Sequence, residues 1–168
     1  RWSLTGAQAG WLIGIFFAAY VPAVPLLLAL TDRVPARRIY LVGTGATALA
    51  HLGFGLLADD FWSGLAFRAL AGIGWAGAYM PGLKALTDRV DGPLQSRFIA
   101  FYTSSFGIGA SVSLLLGGWI EARLGWEWAF ILCSGGPLLS AALVLRALAP
   151  VAPAPLPQAR RPLFELRP

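Results

Sequence analysis

Charge is scarce in this 168-residue sequence. Charged side chains make up 12% of it, about half the roughly 25% found in soluble domains. Hydrophobic residues make up 57%, and there are 20 glycines besides. A soluble fold of this size has too little interior to bury so much apolar surface. The composition therefore argues against a water-soluble enzyme and, for most of the chain, against disorder.

Cysteine and histidine are scarcer still, with one each, Cys133 and His51. One cysteine cannot close an internal disulfide, and one histidine without other ligands does not form a zinc site. We therefore expect no metal, no cofactor and no catalytic constellation. The sequence shows no signal-peptide pattern, and it begins with Arg1 rather than Met, so we expect it to be part of a longer reading frame.

Long runs without charge divide the sequence into five apolar segments, of which one is interrupted by Arg68. A helix of about 20 residues spans the roughly 30 Å hydrocarbon layer of a bilayer. In lipid only helices and closed barrels satisfy the backbone, and the alternation typical of barrel strands is missing. The sequence therefore predicts an all-α membrane protein, a polytopic transmembrane helix bundle whose five spans are about Gly10–Leu30, Ile39–Ala58, Phe61–Leu83, Phe98–Ile120 and Trp128–Leu145.

Basic residues concentrate on one side of these spans. Ten of the 13 lie in segments 32–38 and 84–97 or after the last span, and only Arg1 and Arg123 lie on the other side. The positive-inside rule places the first group in the cytoplasm. Residues 1–148 are then the membrane part, and 149–168 form a proline-rich cytoplasmic linker. Contacts with lipid headgroups explain the basic charge, and without a recognition motif we expect no nucleic-acid partner.

Two motifs resemble signatures of the major facilitator superfamily (MFS). Segment Leu30–Arg38, LTDRVPARR, is similar to the cytoplasmic motif G-x-L-a-D-R-x-G-R-R, and segment Arg68–Gly77 is similar to the fourth-helix pattern R-x-x-x-G-x-G-x-x-G. The first motif departs from the family at Leu28, Pro35 and Ala36. The resemblance covers nearly the whole chain as helices two to six of the N-terminal half. It implies a partial MFS fold, with the first helix and the second half outside the chain.

The resemblance implies an inner-membrane permease that moves a small solute by alternating access, with an organic anion as one candidate. Its partners are then the lipid bilayer, the solute, protons and the remainder of the same transporter. Segment Ser113–Gly118 lacks the Gly-Pro pair of the family's antiporters, which favours uniport or proton symport. Within the superfamily the chain is most similar to cyanate and nitroimidazole permeases. The alternative is a non-transporting truncated membrane module that acts as a structural or assembly partner.

Arg68 is the main candidate for binding solute or protons. An arginine inside a span costs about 2.5–3.5 kcal/mol on insertion scales, so it either snorkels to the interface or faces a water-filled cavity. Trp75 and Tyr79 share its helical face and are expected to line the same path, with simple packing as the alternative. On the next span one further face is a weaker candidate for solute contact: Tyr102, Ser105, Gly109 and Ser113.

The cytoplasmic motif contributes a second group of candidates, Asp32, Arg33 and Arg37. The resemblance implies that they form part of a cytoplasmic gate. The alternative is that they only set the orientation of the protein in the membrane. The six residues Ala29–Val34 recur as Ala85–Val90, again at a predicted cytoplasmic helix end. We interpret this repeat as shared helix-end chemistry.

His51 lies near the middle of the second predicted span. A proton-relay role is one interpretation. The family's third helix is mostly peripheral, so the resemblance favours a packed, neutral histidine.

Overall fold

The computed structural model describes residues 2–149, and in that part of the chain the regular structure is helical, without strands. Six helices follow one another: α1 (Gly6–Leu30), α2 (Ala36–Leu57), α3 (Phe61–Thr87), α4 (Pro93–Leu124), α5 (Trp126–Cys133) and α6 (Gly135–Ala147). The all-α fold predicted from the sequence is confirmed. The predicted linker lies, beyond residue 149, outside the described residues.

α1 begins earlier than the sequence predicted because Thr5 and Gln8 form a capping box. The Gln8 backbone N–H donates to the Thr5 hydroxyl at 3.3 Å, and the Thr5 N–H donates to the Gln8 side-chain oxygen at 2.9 Å. Pro22 and Pro25 both lie inside the helix without ending it. α1 is therefore one helix of 25 residues, long enough to cross a bilayer.

α2 and α3 are antiparallel neighbours that meet along a seam of small residues. The connection between them is only three residues long, 58–60. A Cβ atom on Gly43 would lie 2.6 Å from the carbonyl carbon of Gly77, and one on Gly74 would lie 2.6 Å from the Thr47 hydroxyl oxygen. Because the two backbones approach so closely, neither position has room for a methyl group. Most buried residues of the described chain belong to these two helices.

α1 covers another side of α3. A Cβ atom on Gly72 would lie 2.2 Å from the Phe16 carbonyl oxygen, so the backbone of α1 lies directly on this glycine. Nearer the start of α3, Gly64 faces the side chains of Trp2 and Leu12. α3 is thus enclosed by α1 and α2, and it is the central helix of the described bundle.

The first turn of α3 is capped by Asp60. Its carboxylate accepts the Ser63 backbone N–H at 2.7 Å, and the Ser63 hydroxyl also donates to it. These hydrogen bonds hold the pKa of Asp60 below its ordinary value of 3.8. The stabilisation from the cap is therefore fully present above that ordinary value, and it is lost as the pH falls through the lowered pKa.

The last predicted span, Trp128–Leu145, is two helices rather than one uninterrupted helix. α5 ends at Cys133, and the hydroxyl of Ser134 donates back to the Ile131 carbonyl at 2.6 Å. Pro137 has no N–H with which to continue the helical ladder, and two glycines precede it. Trp126–Ala147 as a whole is still one stretch long and apolar enough to cross a membrane, so the predicted span is confirmed and only its interruption at Ser134 was not predicted.

Four stretches of the described chain are long and apolar enough to cross a membrane: α1, α2, α4, and α5 together with α6. α3 has the length, at 27 residues, but is less apolar because it contains Arg68 and five glycines. Its position at the centre of the bundle explains this difference, since its neighbours are helices more than lipid.

Replacing Gly43 with alanine tests the close approach of α2 and α3. We expect Gly43→Ala to destabilise the fold by about 1–3 kcal/mol, because the new methyl group meets backbone atoms that cannot move aside. Gly45→Ala is the matched control in the same helix, since its Cβ atom would meet nothing within 4 Å. Thermal unfolding in detergent measures both variants. Equal thermal unfolding midpoints for the two variants would contradict the close approach of α2 and α3 at Gly43.

Candidate functional site

Arg68 lies on the side of α3 that faces α1. Its Nε–H donates to the Leu12 carbonyl oxygen at 3.1 Å, and its guanidinium carbon lies 5.1 Å from the centre of the Phe16 ring. A cation over an aromatic face is attracted by the ring quadrupole, more strongly where water is excluded. Arg68 is half-buried, and it therefore joins α3 to α1 through one hydrogen bond and one ring contact.

The two terminal amino groups of Arg68 remain available. Within residues 2–149, Nε is the only nitrogen of this guanidinium that hydrogen-bonds to protein. The two amino groups are not among the buried atoms that lack a partner, so they are accessible from outside the protein. A fork of N–H donors in this geometry matches a carboxylate or phosphate group.

Trp75 and Tyr79 line an open cavity of about 450 Å³ between α2, α3, α4 and α6. The Trp75 and Tyr79 rings are stacked with their centres 6.1 Å apart, and Phe106 packs against both from α4. The Tyr102 hydroxyl donates to the Tyr79 carbonyl at 2.7 Å. The described lining contains no charged side chain; it is aromatic, hydroxylic and small.

The candidates on α3 thus separate into two places. Trp75 and Tyr79 lie together on the cavity, whereas Arg68 faces α1 and is not part of the cavity lining. The face of α4 identified from the sequence does line the cavity as a unit: Tyr102, Ser105, Gly109 and Ser113. Whether any of these residues contacts a solute stays a prediction.

Sequence reasoning missed the contribution of α2 and α6 to this cavity. Tyr40, Thr44 and Thr47 line it from α2, and the Tyr40 hydroxyl is hydrogen-bonded to the Ser140 hydroxyl of α6. No local signal pairs these two helices, since their contact depends on how the whole bundle closes.

His51 is not part of the described cavity lining. Its Nδ1–H donates to the Thr47 carbonyl at 2.7 Å, because a carbonyl oxygen can only accept. Its ring centre lies 5.8 Å from that of Phe130 on α5. His51 therefore contacts α5 in the interior of the helix bundle.

The cytoplasmic motif joins α1 to α2, and its three candidates differ in their surroundings. Asp32 and Arg33 are exposed, and neither side chain makes a hydrogen bond or ion pair within the described part of the chain. Arg37 is half-buried and donates a terminal N–H to the Leu145 carbonyl of α6 at 3.2 Å. Its Nε is buried without a hydrogen-bond partner among the described residues. The structure does not bring the three side chains into mutual contact.

Comparison with known proteins adds family evidence to this geometry. Residues 2–168 match the family described as Major Facilitator Superfamily. The chain is 25% identical over 131 residues to the niacin transporter NiaP of Acinetobacter baylyi, covering 78% of this chain and 30% of that protein. It is 34% identical over 130 residues to an uncharacterized MFS-type transporter of Mycobacterium tuberculosis, covering 74% of this chain and 21% of that protein. It is 25% identical over 130 residues to the probable sphingolipid transporter spinster homolog 1 of Arabidopsis thaliana. That alignment covers 77% of this chain and 26% of that protein.

The chain thus spans less than a third of the length of these relatives. The matches confirm the superfamily resemblance and an integral membrane protein, and the relatives' names indicate transport rather than enzyme catalysis. They do not bear out the narrower resemblance to cyanate and nitroimidazole permeases. The match over residues 2–168, together with the apolar helix bundle, shows that the chain belongs to the Major Facilitator Superfamily.

Proposed function

We propose that this chain is part of a solute permease that moves a small organic solute across a bacterial inner membrane by alternating access. Family membership supports transport, and two of the relatives described above are bacterial. The observation that carries the proposal is Arg68, a charge within a helix of the bundle whose terminal amino groups have no protein acceptor in the described chain. No enzymatic chemistry is required of these residues.

Arg68 is the proposed anion-binding group. A charge in a span is retained at a cost of a few kcal/mol, and such residues usually face a ligand, an ion path or a partner charge. Leu12 and Phe16 fix the Nε edge and the face of the guanidinium, which leaves the amino edge for an acceptor. A carboxylate is a suitable acceptor because it takes two parallel N–H bonds from arginine. This arrangement supports an organic anion as the solute.

Trp75 and Tyr79 are the proposed contacts for the apolar part of the solute. They lie about two and three turns further along α3 than Arg68, on the aromatic cavity wall with Phe106. Stacked and tilted rings of this kind bind flat organic groups by contact area rather than by charge. Seven residues of helix separate Arg68 from Trp75, a rise of about 10 Å, so a solute would meet the two groups in succession.

The remainder of the transporter is the proposed partner of α4. Ile120 is the only buried residue that the described chain gives this helix, and Gly107, Gly109, Gly117 and Gly118 have open space where a Cβ would lie. Small residues at such spacing let transmembrane helices approach closely, as α2 and α3 do here. The relatives are three or more times as long as the aligned segment, and additional helices would enclose the cavity from this side.

Energy coupling in this proposal is uniport or proton symport. Segment Ser113–Gly118 lacks the Gly-Pro pair of the family's antiporters, and its first residue, Ser113, lines the cavity. Asp32, Arg33 and Arg37 are the proposed gate residues at the cytoplasmic end. The exposed side chains of Asp32 and Arg33 are available to contact another part of the transporter in one state of the cycle and to release it in the other.

Replacing Arg68 in the full-length transporter tests the anion-binding role. We expect Arg68→Ala to lower uptake of small organic anions into proteoliposomes at least about tenfold, because a charge-assisted bidentate contact is lost. Arg68→Lys keeps the charge without the fork and should give an intermediate KM. A purely structural role would lower the amount of folded protein instead and leave the KM of the surviving fraction unchanged.

Arg123→Ala is the matched control for Arg68. Arg123 also stacks on an aromatic ring, with its guanidinium carbon 5.3 Å from the Trp119 centre, but it is exposed at the outer end of α4. Uptake by this variant should equal that of the unaltered protein. Equal kinetics for Arg68→Ala and Arg123→Ala would remove Arg68 from the proposed site. No uptake of any candidate by the unaltered protein would favour the non-transporting alternative.

Asp32→Asn tests the gate. We expect turnover to fall several-fold while solute affinity is kept, because the carboxylate acts on the exchange between states rather than on the solute. Asp59→Asn is the control, since Asp59 is an exposed carboxylate at the opposite end of the bundle. Transport assays that separate kcat from KM measure both. Unchanged turnover in Asp32→Asn would reduce the motif to an orientation signal.

A further inference from the structure

The repeated hexapeptide has the same local structure in its two copies, Ala29–Val34 and Ala85–Val90. In the first copy the Thr31 hydroxyl donates to the Leu28 carbonyl at 2.6 Å, and in the second the Thr87 hydroxyl donates to the Lys84 carbonyl at 3.2 Å. Each copy ends a long helix, and in each the threonine bonds back three residues. The repeat is therefore a helix-ending element that the chain uses twice.

The charged residues of the two copies have different surroundings. In the second copy the Lys84 ammonium pairs with Asp88 at 2.8 Å, and the Arg89 guanidinium donates to the carbonyls of Ala85 and Ala149. In the first copy Asp32 and Arg33 are exposed and make no such contact within the described chain. The same sequence is thus engaged at the end of α3 and free of the described bundle at the end of α1.

Arg89 and Arg37 donate to carbonyl groups at or just beyond helix ends. The last four carbonyls of a helix lack an intrahelical N–H partner. Ala85 lies in the last turn of α3 and Leu145 in the last turn of α6, whereas Ala149 is the residue after the C-cap of α6, Leu148. Arg89 therefore bridges the ends of α3 and α6, and Arg37 reaches the end of α6 from the first turn of α2.

We propose that Arg37 and Arg89 are positioning residues that together clamp the cytoplasmic end of α6 to α2 and α3. Helix C-termini carry partial negative charge, which a cation stabilises, and the planar fork of arginine can serve two carbonyls at once. The hydroxyl contact between Tyr40 and Ser140 joins α2 to α6 deeper in the bundle and continues the same attachment. If the proposed transport function holds, the clamp makes α2, α3 and α6 move as one body.

Hydrogen–deuterium exchange of the chain in lipid nanodiscs tests the clamp without any solute. The amides of 144–148 should exchange roughly tenfold faster in Arg89→Gln than in the unaltered chain, because charge-assisted hydrogen bonds to two carbonyls are lost and the last turn of α6 frays. Arg37→Gln should act in the same direction. Amides at the centre of α3, 70–78, should keep their protection.

Arg33→Gln is the matched control, because Arg33 occupies the position of Arg89 in the other copy of the repeat and loses the same charge from the same side of the membrane. Its α6 amides should exchange as in the unaltered chain. Equal acceleration in Arg33→Gln and Arg89→Gln would overturn the proposal, since any lost cytoplasmic charge would then suffice. No acceleration in Arg89→Gln would overturn it as well.

Arg89→Lys covers the case in which Arg89→Gln fails to insert, since it keeps the cytoplasmic positive charge. One ammonium does not reproduce the fork that reaches carbonyls of two helix ends, so exchange at 144–148 should still rise. Protection equal to that of the unaltered chain would overturn the bridging geometry. In a transporting preparation the same variant should lower turnover without raising KM. Absence of transport by the unaltered protein would count against the proposed function and leave the exchange result standing.

Discussion

The backbones of α2 and α3 approach so closely that a single methyl group at Gly43 would meet the backbone of α3, and the remaining helices are arranged around this contact. The three-residue connection at 58–60 forces the pair to be antiparallel, and the small residues along the seam let the two backbones approach closely. α1 then lies against another side of α3 at Gly72, and α5 and α6 pack on α2. Hydrophobic burial alone would not select this order, because lipid is as apolar as the side chains. The fit of the small residues does.

The outer helices are attached to this pair by side chains that donate to backbone carbonyls. Arg68 of α3 reaches Leu12 of α1, Tyr102 of α4 reaches Tyr79 of α3, and Arg37 of α2 reaches Leu145 of α6. For the two bonds made within the predicted spans, Arg68 to Leu12 and Tyr102 to Tyr79, a bilayer leaves no water to compete for the carbonyl. Each bond gives direction to a contact that van der Waals packing leaves free to slide. The bonds lie at different heights, which fixes each helix at one point and leaves the rest of its length to packing.

Charge-free runs were sufficient to predict the order and approximate bounds of the long helices. They did not predict the interruption of the last span at Ser134, where the serine hydroxyl bonds back to the Ile131 carbonyl and α5 ends. Helical periodicity also placed Arg68 and Trp75 on one face of α3, but it did not predict which helix packs against that face. Periodicity states which residues share a face, but the neighbour of that face changes along α3, with α1 near Arg68 and α4 near Trp75. Tyr40 and Ser140 were unpredictable for a related reason, because α2 and α6 are far apart in sequence.

α4 is packed into the described bundle differently from α2 and α3. Its glycines have open space, whereas those on the α2–α3 seam are in tight contact. Its described ties to α3 are the Tyr102 hydroxyl, the Gln95 side-chain amide that donates to the Thr87 carbonyl at 3.5 Å, and the aromatic group around Tyr79. A helix held by two side-chain hydrogen bonds and a few rings can tilt by small side-chain adjustments, whereas the glycine seam between α2 and α3 permits only one register. The alternating access proposed above would need both kinds of contact, since a rigid body must keep its shape while another surface forms and breaks contacts. The glycines are tightly packed along the α2–α3 seam and face open space on α4. This difference separates the part of the chain that holds its shape from the part that is free to contact other helices.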